Sequence, residues 1–278
     1  ADISRMKKLG FNMLRKHAKI EPERFYYHCD QLGMLVWQDM VNGGSAYKHW
    51  FVTYLATLMN WNHISFSDDE KHAGLLSRLH PEGKDEFRRE ITETIAFLYN
   101  HPSIVVWVPF NEGWGQFDAL AVCEQIRTLD SSRLVDHASG WFDQKGGDIL
   151  SLHYYFLKLK FKPESKRAAA LTEFGGYSLS IPGHSCCKKV YGYKKFNSTG
   201  TLTYGYIDLI RQTILPAVKK GIGATVYTQL SDIEEETNGI YTYDREICKI
   251  DPDTLRKWNR ALKEAGECKT YADHTTDH

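Results

Sequence analysis

Two glutamates follow strand-like segments of the sequence, where they could act as an acid and a base. Glu112 comes after the apolar run at residues 103–110, and Glu173 lies near the end of the run at residues 168–174. Carboxylates in such places are seldom buried without a partner or a function. Two carboxyl groups that flank a glycosidic bond can hydrolyse it, one by protonating the leaving oxygen and the other by attacking the anomeric carbon or activating water. The alternative interpretation is that each glutamate caps a loop or pairs with an arginine.

The segments that carry these glutamates belong to an alternation of strands and helices, which predicts a parallel sheet. Seven strands are expected, at residues 11–17, 34–40, 103–110, 134–139, 149–155, 168–174 and 224–230. Helices are expected at residues 2–10, 21–33, 84–100, 117–129, 204–220 and 253–265. Residues 41–83 and 177–203 are predicted to be long loops, the first with short helices.

The strands are short and apolar and end in polar residues, which is typical of a (β/α)8 barrel. In that fold the functional side chains lie at the carboxyl ends of the strands, so Glu112 and Glu173 would converge on one cavity. The sequence opens on a helix, and a full barrel would need a strand before Asp2. We therefore expect an α/β fold, a (β/α)8 TIM barrel that lacks its first strand, at residues 1–265, with a flexible tail at residues 266–278.

The composition argues against several classes of partner. The sequence has 35 Lys and Arg against 35 Asp and Glu, so its charge does not favour nucleic acid or an anionic membrane. No apolar run approaches the roughly 18 residues of a membrane span. The six cysteines lack metal-binding spacing, and the 12 histidines form no His-x-His or HExxH pattern. No metal site, no cofactor, no nucleic acid and no membrane partner are predicted.

Three segments of the sequence contain motifs that can be compared with known enzyme families. Residues 100–112 read NHPSIVVWVPFNE, and residues 12–17 read NMLRKH, continued by CDQLGMLVW at residues 29–37. Residues 172–176 read TEFGG. The first segment resembles the acid/base signature of glycoside hydrolase family 2, which includes β-galactosidases, β-glucuronidases and β-mannosidases. The second resembles the other signature of that family, and the third is similar to the strand that carries its nucleophile.

The resemblance implies a role for each glutamate. Glu112 would be the general acid/base and Glu173 the nucleophile of a retaining enzyme, with their carboxyl groups about 5–5.5 Å apart. In the family the acid/base ends the fourth strand and the nucleophile the seventh. Here these residues end the third and sixth predicted strands, and one missing strand accounts for both offsets.

The resemblance also implies residues that bind the sugar or orient the carboxyl groups. Asn111 would hydrogen-bond the sugar 2-hydroxyl, and Arg15 would keep Glu173 ionised, unless it forms a structural salt bridge instead. Tyr155 or Tyr154 would donate a hydrogen bond to Glu173. The other candidates near strand ends are His17, His153, Trp114 and Trp141, with Asp39, Asp136 and His137 as weaker ones. Each polar candidate could instead be a satisfied rim residue, and Trp141 could pack in the core.

The resemblance implies a retaining β-glycoside hydrolase that is β-galactosidase-like and removes a terminal β-linked sugar. The alternative is an inactive or carbohydrate-binding fragment of such an enzyme. A glucuronide substrate is disfavoured, because Asn238-Gly239-Ile240 lacks the lysine with which glucuronidases of this family bind the acid group of the sugar. The expected partners are a carbohydrate and β-sandwich domains upstream of the barrel, while the oligomeric state and compartment stay open.

Overall fold

The computed structural model describes residues 1–41, 43–48, 50–61, 64, 66–155, 159–187 and 189–272. The chain divides into two compact units. The first unit contains residues 12–153 and 164–168, and the second contains residues 1–11, 154–163 and 169–278. None of the described helices is long and apolar enough to cross a membrane.

The described elements alternate between helix and strand for most of the chain. In chain order they are α1 (Asp2–Lys8), β1 (Met13–Lys16), α2 (Glu23–Leu32), β2 (Leu35–Asp39), α3 (Ala56–Trp61), α4 (Pro81–Leu98), β3 (Ile104–Val108), α5 (Ala119–Leu129), β4 (Leu134–Val135), β5 (Ile149–Tyr154), β6 (Ala168–Gly175), β7 (Tyr177–Ser178), β8 (Lys194–Lys195), α6 (Thr199–Leu209), α7 (Leu215–Lys220), β9 (Ile222–Thr228) and α8 (Pro252–Ala272). Short π-helical turns lead into α3 and join α6 to α7. All seven predicted strands are present.

The first unit is built on a parallel sheet with the strand order β1-β2-β3-β4. Four of the five residues in each of β2 and β3 are buried, as expected of parallel strands that are covered on both faces. Helix α4 packs against α5 and buries a stripe of apolar residues at helical spacing. The buried members of the stripe are Phe87, Ile91, Ile95 and Leu98, as its sequence periodicity predicts.

The second unit contains two pairs of parallel strands, β6 with β9 and β7 with β8. Its loops are organised by Lys249, whose buried ammonium group lies 2.6 Å from Asp232 Oδ1. The same ammonium donates to the carbonyl oxygens of Leu179 and Thr237. A buried charge needs this many partners, so the pair joins three loop segments of the unit.

Several predicted boundaries are wrong, each for a local physical reason. The helix predicted at residues 204–220 starts at Thr199, because Ser198 and Thr201 form a capping box ahead of the apolar run. The strand predicted at residues 134–139 ends at Val135, since Ser139 bonds instead to the loop after β3. The last helix continues to Ala272 instead of ending at residue 265, so residues 266–272 are helical and residues 273–278 lie outside the described range.

A buried polar cluster anchors β3 to the loop before β4. Asp130 accepts hydrogen bonds from the indole of Trp107 at 2.9 Å and from Arg133 at 2.6 Å. Arg133 also donates to the carbonyl oxygens of Tyr99, His101 and Ile104. Burial acts to raise the pKa of Asp130, but hydrogen bonds from Ser132, Arg133 and Trp107 lower it to about 2.

The Asp130→Asn variant is expected to lower the free energy of unfolding by about 2 kcal/mol at neutral pH, because a charged acceptor is lost from a buried network. Urea unfolding measures the loss. The folded pKa lies below the unfolded value, so the carboxylate stabilises the protein above about pH 4 and stops doing so as the pH falls through about 2. The difference between the two proteins should shrink over that interval.

The matched control is Asp253→Asn, which changes an 87% exposed carboxylate that also pairs with an arginine three residues along a helix. An exposed pair of this kind contributes about 0–1 kcal/mol. Equal losses in the two variants would contradict the assigned role of Asp130.

Candidate active site

Glu112 lies in a tight turn directly after β3. Its backbone has a φ of +50°, and Gly113 and Gly115 also have positive φ values. The amide of Glu112 donates to the carbonyl of Ser139 at 2.9 Å, which ties the turn to the end of the segment after β4. A non-glycine residue in the left-handed region costs about 1–2 kcal/mol, and such residues are concentrated at functional sites.

The carboxyl group of Glu112 is bonded to a buried histidine. Its Oε1 lies 2.7 Å from Nδ1 of His153, whose side chain is 2% exposed while that of Glu112 is 15% exposed. The imidazole packs against Gly140, where an added Cβ would come within 2.5 Å of the ring. Position 140 therefore has to be glycine for His153 to reach Glu112.

Arg15 and Asp39 form a bidentate ion pair at the carboxyl ends of β1 and β2. Nε and Nη2 of Arg15 donate to the two carboxylate oxygens at 3.0 and 2.9 Å. Burial acts to raise the pKa of Asp39, but Arg15 and His17 hold it below its usual value. Nη2 of Arg15 also donates to Oδ1 of Asn111 at 2.8 Å, so the side-chain amide of Asn111 is oriented by a fixed cation.

Glu173 lies on β6 and accepts a hydrogen bond from the hydroxyl of Tyr155. The same hydroxyl lies 3.1 Å from Oγ1 of Thr228 at the end of β9. The ring of Tyr193 stacks on Tyr155, with 4.0 Å between the centroids and 19° between the planes. The stack runs past Gly176, so the tyrosine that bonds to Glu173 is held at its hydroxyl and on one face.

The structure brings many of the predicted residues into direct contact within each unit. In the first unit Arg15 contacts Asn111, and Nδ1 of His17 lies 3.0 Å from Asp39 with its ring 57% exposed. In the second unit it is Tyr155, and not its neighbour Tyr154, that bonds to Glu173. The expected contact of Arg15 with Glu173 stays a prediction.

The two predicted tryptophans lie in different surroundings. Trp114 is 38% exposed and packs against Tyr47, with 5.2 Å between ring centroids. Trp141 packs against the core cluster that contains Phe51 and Phe142, which is the core packing that the sequence left open. Stacking of either ring on a sugar stays a prediction.

Four residues that contact the candidate site were missed by sequence reasoning. Ser139 and Ser151 bond to the network behind Glu112, and Tyr193 and Thr228 contact Tyr155. Ser151 could have been predicted from the sequence, because residues two apart on a strand share a face and His153 was already a candidate. Tyr193 could not have been predicted, since it reaches the site from a predicted loop.

A cluster that could offer ligand atoms to a cation lies on the second unit. His184, Asp244 and Glu246 place one ligand atom each within 4.8 Å of one another. Nδ1 of His184 is 2.7 Å from Asp244, and this exposed ion pair accounts for the arrangement without a cation. The cluster gives no reason to assign a metal to the chain.

Comparison with known proteins identifies the fold and family of the chain. Residues 1–215 match the family described as "Glycosyl hydrolases family 2, TIM barrel domain". A β-galactosidase from Leuconostoc mesenteroides subsp. mesenteroides is 26% identical over 285 residues, which cover 97% of this chain and 24% of that protein. A β-mannosidase B from Thermothelomyces thermophilus is 32% identical over 94 residues, which cover 34% of this chain and 8% of that protein.

Solved structures agree with the fold. A β-D-glucuronidase from Dictyoglomus thermophilum has a TM-score of 0.62 at 15% identity, over 93% of this chain and 46% of that one. A family 2 β-galacturonidase from Eisenbergiella tayi has a TM-score of 0.61 at 18% identity, over 94% and 46%. The predicted α/β TIM-barrel fold is confirmed, and the chain spans about a quarter of the length of the β-galactosidase it matches.

The Gly176→Ala variant is expected to be less stable than Gly183→Ala by about 1–3 kcal/mol, because an added methyl group overpacks the site. At Gly176 (φ +63°) the Cβ would lie 2.3 Å from the ring of Tyr193. Gly183 (φ +84°) has no described heavy atom within 4 Å of that position. Both variants carry the backbone strain, so their difference in urea unfolding measures the packing clash. Equal stabilities would show that Tyr193 does not pack there.

Proposed function

Because the chain belongs to glycosyl hydrolase family 2, we propose that it is the catalytic part of a retaining β-glycoside hydrolase. Glu112 is the general acid/base and Glu173 the nucleophile. The observation that carries the proposal is that each carboxyl group has its own fixed partner, His153 for Glu112 and Tyr155 for Glu173. Two carboxyl groups with different surroundings are what the two different roles require.

In the first step Glu173 attacks the anomeric carbon while Glu112 donates its proton to the glycosidic oxygen. The bond from the anomeric carbon to the leaving group breaks as the bond to the Glu173 oxygen forms. The hydroxyl of Tyr155 donates to one oxygen of Glu173 and thereby orients the carboxyl group for attack. The rigid stack of Tyr193 on Tyr155 supports this orientation without further motion.

In the second step water replaces the leaving group. Glu112, now a carboxylate, takes a proton from water, whose oxygen bonds to the anomeric carbon and releases Glu173. Donation from Nδ1 of His153 to Oε1 would stabilise the Glu112 carboxylate between the two steps. The configuration at the anomeric carbon is retained because it is inverted twice.

Asn111 and His17 supply the proposed contacts to sugar hydroxyl groups. Arg15 engages Oδ1 of Asn111, which leaves the amide N–H groups of Asn111 as donors to the 2-hydroxyl. His17 is held at Nδ1 by Asp39, so its exposed ring can offer Nε2. A contact to the 2-hydroxyl strengthens as the transition state forms.

We propose a β-galactosidase-like specificity for a terminal β-linked sugar. The match to a β-galactosidase along 97% of the chain supports it. Asn238 lies in the segment where a residue that binds the acid group of a uronic acid would be expected. It is 1% exposed and accepts a hydrogen bond from Gln229. This hydrogen bond inside the loop supports the prediction that glucuronides are disfavoured substrates. The upstream β-sandwich domains stay a prediction, and the oligomeric state stays open.

The proposal is tested by hydrolysis of nitrophenyl β-glycosides carrying galactose, glucose, mannose, glucuronic acid or N-acetylglucosamine. The galactoside is expected to turn over fastest, and Glu173→Gln should abolish turnover. Glu112→Gln should slow a substrate with a poor leaving group by about 10²–10⁴-fold, because general acid catalysis is lost. Its effect on the bond-breaking step of a dinitrophenyl glycoside should be small, since that leaving group needs no proton.

The matched control is Glu234→Gln, an exposed glutamate in the acidic run at residues 234–236, which should leave every rate unchanged. The anomeric configuration of the first product, followed by NMR, should be β. Initial release of the α-anomer would contradict the retaining mechanism. Absence of turnover from a folded sample of this chain would overturn its proposed activity.

A further inference from the structure

Behind Glu112, a run of hydrogen bonds leads to a second buried carboxyl group. Nε2 of His153 lies 3.2 Å from Oγ of Ser139, and Oγ of Ser139 lies 3.3 Å from Oγ of Ser151. Ser151 in turn donates to Oδ2 of Asp136 at 2.9 Å. We call Glu112, His153, Ser139, Ser151 and Asp136 the relay.

The relay is enclosed by the first unit. Asp136 and Ser139 are fully buried, and the side chain of His153 is 2% exposed. In the described part of the chain, Oδ1 of Asp136 has no hydrogen-bond partner. A buried carboxylate with one unbonded oxygen is costly, so the neutral form of Asp136 is favoured.

The groups around Asp136 agree with this preference. Burial raises the pKa of Asp136 above its usual value, and the nearby Asp39 carboxylate adds to the effect. Arg15 and His137 oppose it. The Arg15 guanidinium is already engaged by Asp39 and Asn111, so its charge does not form a dedicated pair with Asp136.

We infer that Asp136 shares one proton with Glu112 through the relay and is thereby a positioning residue for the proposed acid/base. The inference rests on the proposed role of Glu112. Every intermediate member can both donate and accept, which is what a chain of proton transfers requires. The relay would supply a proton to Glu112 from inside the protein instead of from bulk water.

Two arrangements of the same hydrogen bonds differ by one proton. In the first, protonated Asp136 donates to Ser151, each hydroxyl donates onward, and Nδ1–H of His153 donates to the Glu112 carboxylate. In the second, protonated Glu112 donates to Nδ1, Nε2–H donates to Ser139, and the hydroxyls donate toward the Asp136 carboxylate. One O–H or N–H bond breaks and one forms at each intermediate member, so none of them gains a charge.

Only the second arrangement suits bond cleavage in the proposed reaction, because Glu112 must then be protonated. Donation of that proton to the leaving group empties the relay, so Glu112 and Asp136 are both carboxylates in the glycosyl intermediate. The proton that Glu112 takes from water during hydrolysis restores the one shared proton, and the relay holds it again before the next turnover.

The test is a pH titration of the side-chain carboxyl ¹³C signals, which requires no turnover. Glu173→Gln is the parent for every sample, because it removes the other carboxyl group of the proposed reaction. The signals of Glu112 and Asp136 are assigned by their loss in Glu112→Gln and Asp136→Asn. In the parent both signals should move in the same two steps, because coupled sites share macroscopic titrations.

In Asp136→Asn the midpoint of the Glu112 signal should fall by about one pH unit, because its ionisation no longer competes with a second charge. Ser151→Ala should act in the same direction, since it disconnects Asp136 and leaves it neutral. Ser151→Thr keeps the hydroxyl and should titrate like the parent. The matched control is Ser178→Ala, which removes a buried hydroxyl that has no hydrogen-bond partner among the described residues.

In the parent, the Glu112 signal could titrate in one step while the Asp136 signal stays constant. That result would by itself overturn the inference, whatever the variants do. An unchanged Glu112 midpoint in folded Asp136→Asn would overturn it too, since a structural role would change stability and not the titration. Coupled titration in the Glu173→Gln parent, together with no glycoside turnover by the unsubstituted chain, would refute the proposed activity and leave the relay standing.

Discussion

The bidentate pair of Arg15 and Asp39 is the contact on which the polar layer of the first unit depends. It joins the ends of two neighbouring strands and extends to Asn111 after the third. Loss of one partner would remove the bidentate counter-charge of the other at a buried position, at a cost of about 3–5 kcal/mol. Glu112 follows Asn111 directly, so the direction of its side chain depends on this ion pair as well as on its own hydrogen bonds.

In the second unit, aromatic packing contributes to the orientation of the Glu173 carboxyl group. Glu173 accepts a hydrogen bond from Tyr155, and the position of that ring is set by Tyr193 and by Gly176 beside them. Aromatic stacking adds about 0.5–1.5 kcal/mol beyond burial and fixes the plane of the ring. The hydrogen-bond network of the first unit therefore orients Glu112, and the stacked tyrosines of the second unit orient the hydroxyl that donates to Glu173.

Much of the fold could be predicted because each strand is an apolar run that ends in polar residues, and because α4 has a clear helical period. The positions of Glu112 and Asn111 after a strand, and of Glu173 near the end of one, followed from the same pattern. The contacts of Arg15 could not be predicted, because a guanidinium at a strand end can reach several carboxylates. Tyr193 could not be predicted either, since the loop that carries it has no periodicity and is placed by tertiary contacts.

The left-handed backbone of Glu112 has a consequence for the evolution of the protein. Glycine and asparagine adopt that conformation at lower cost. Glutamate at position 112, the residue proposed for acid/base chemistry, is therefore less favourable for stability than either of them. A laboratory selection for heat resistance alone should therefore drift toward glycine or asparagine at this position. If glutamate is retained under such selection, activity must also have been selected, because the backbone conformation at this position favours glycine or asparagine.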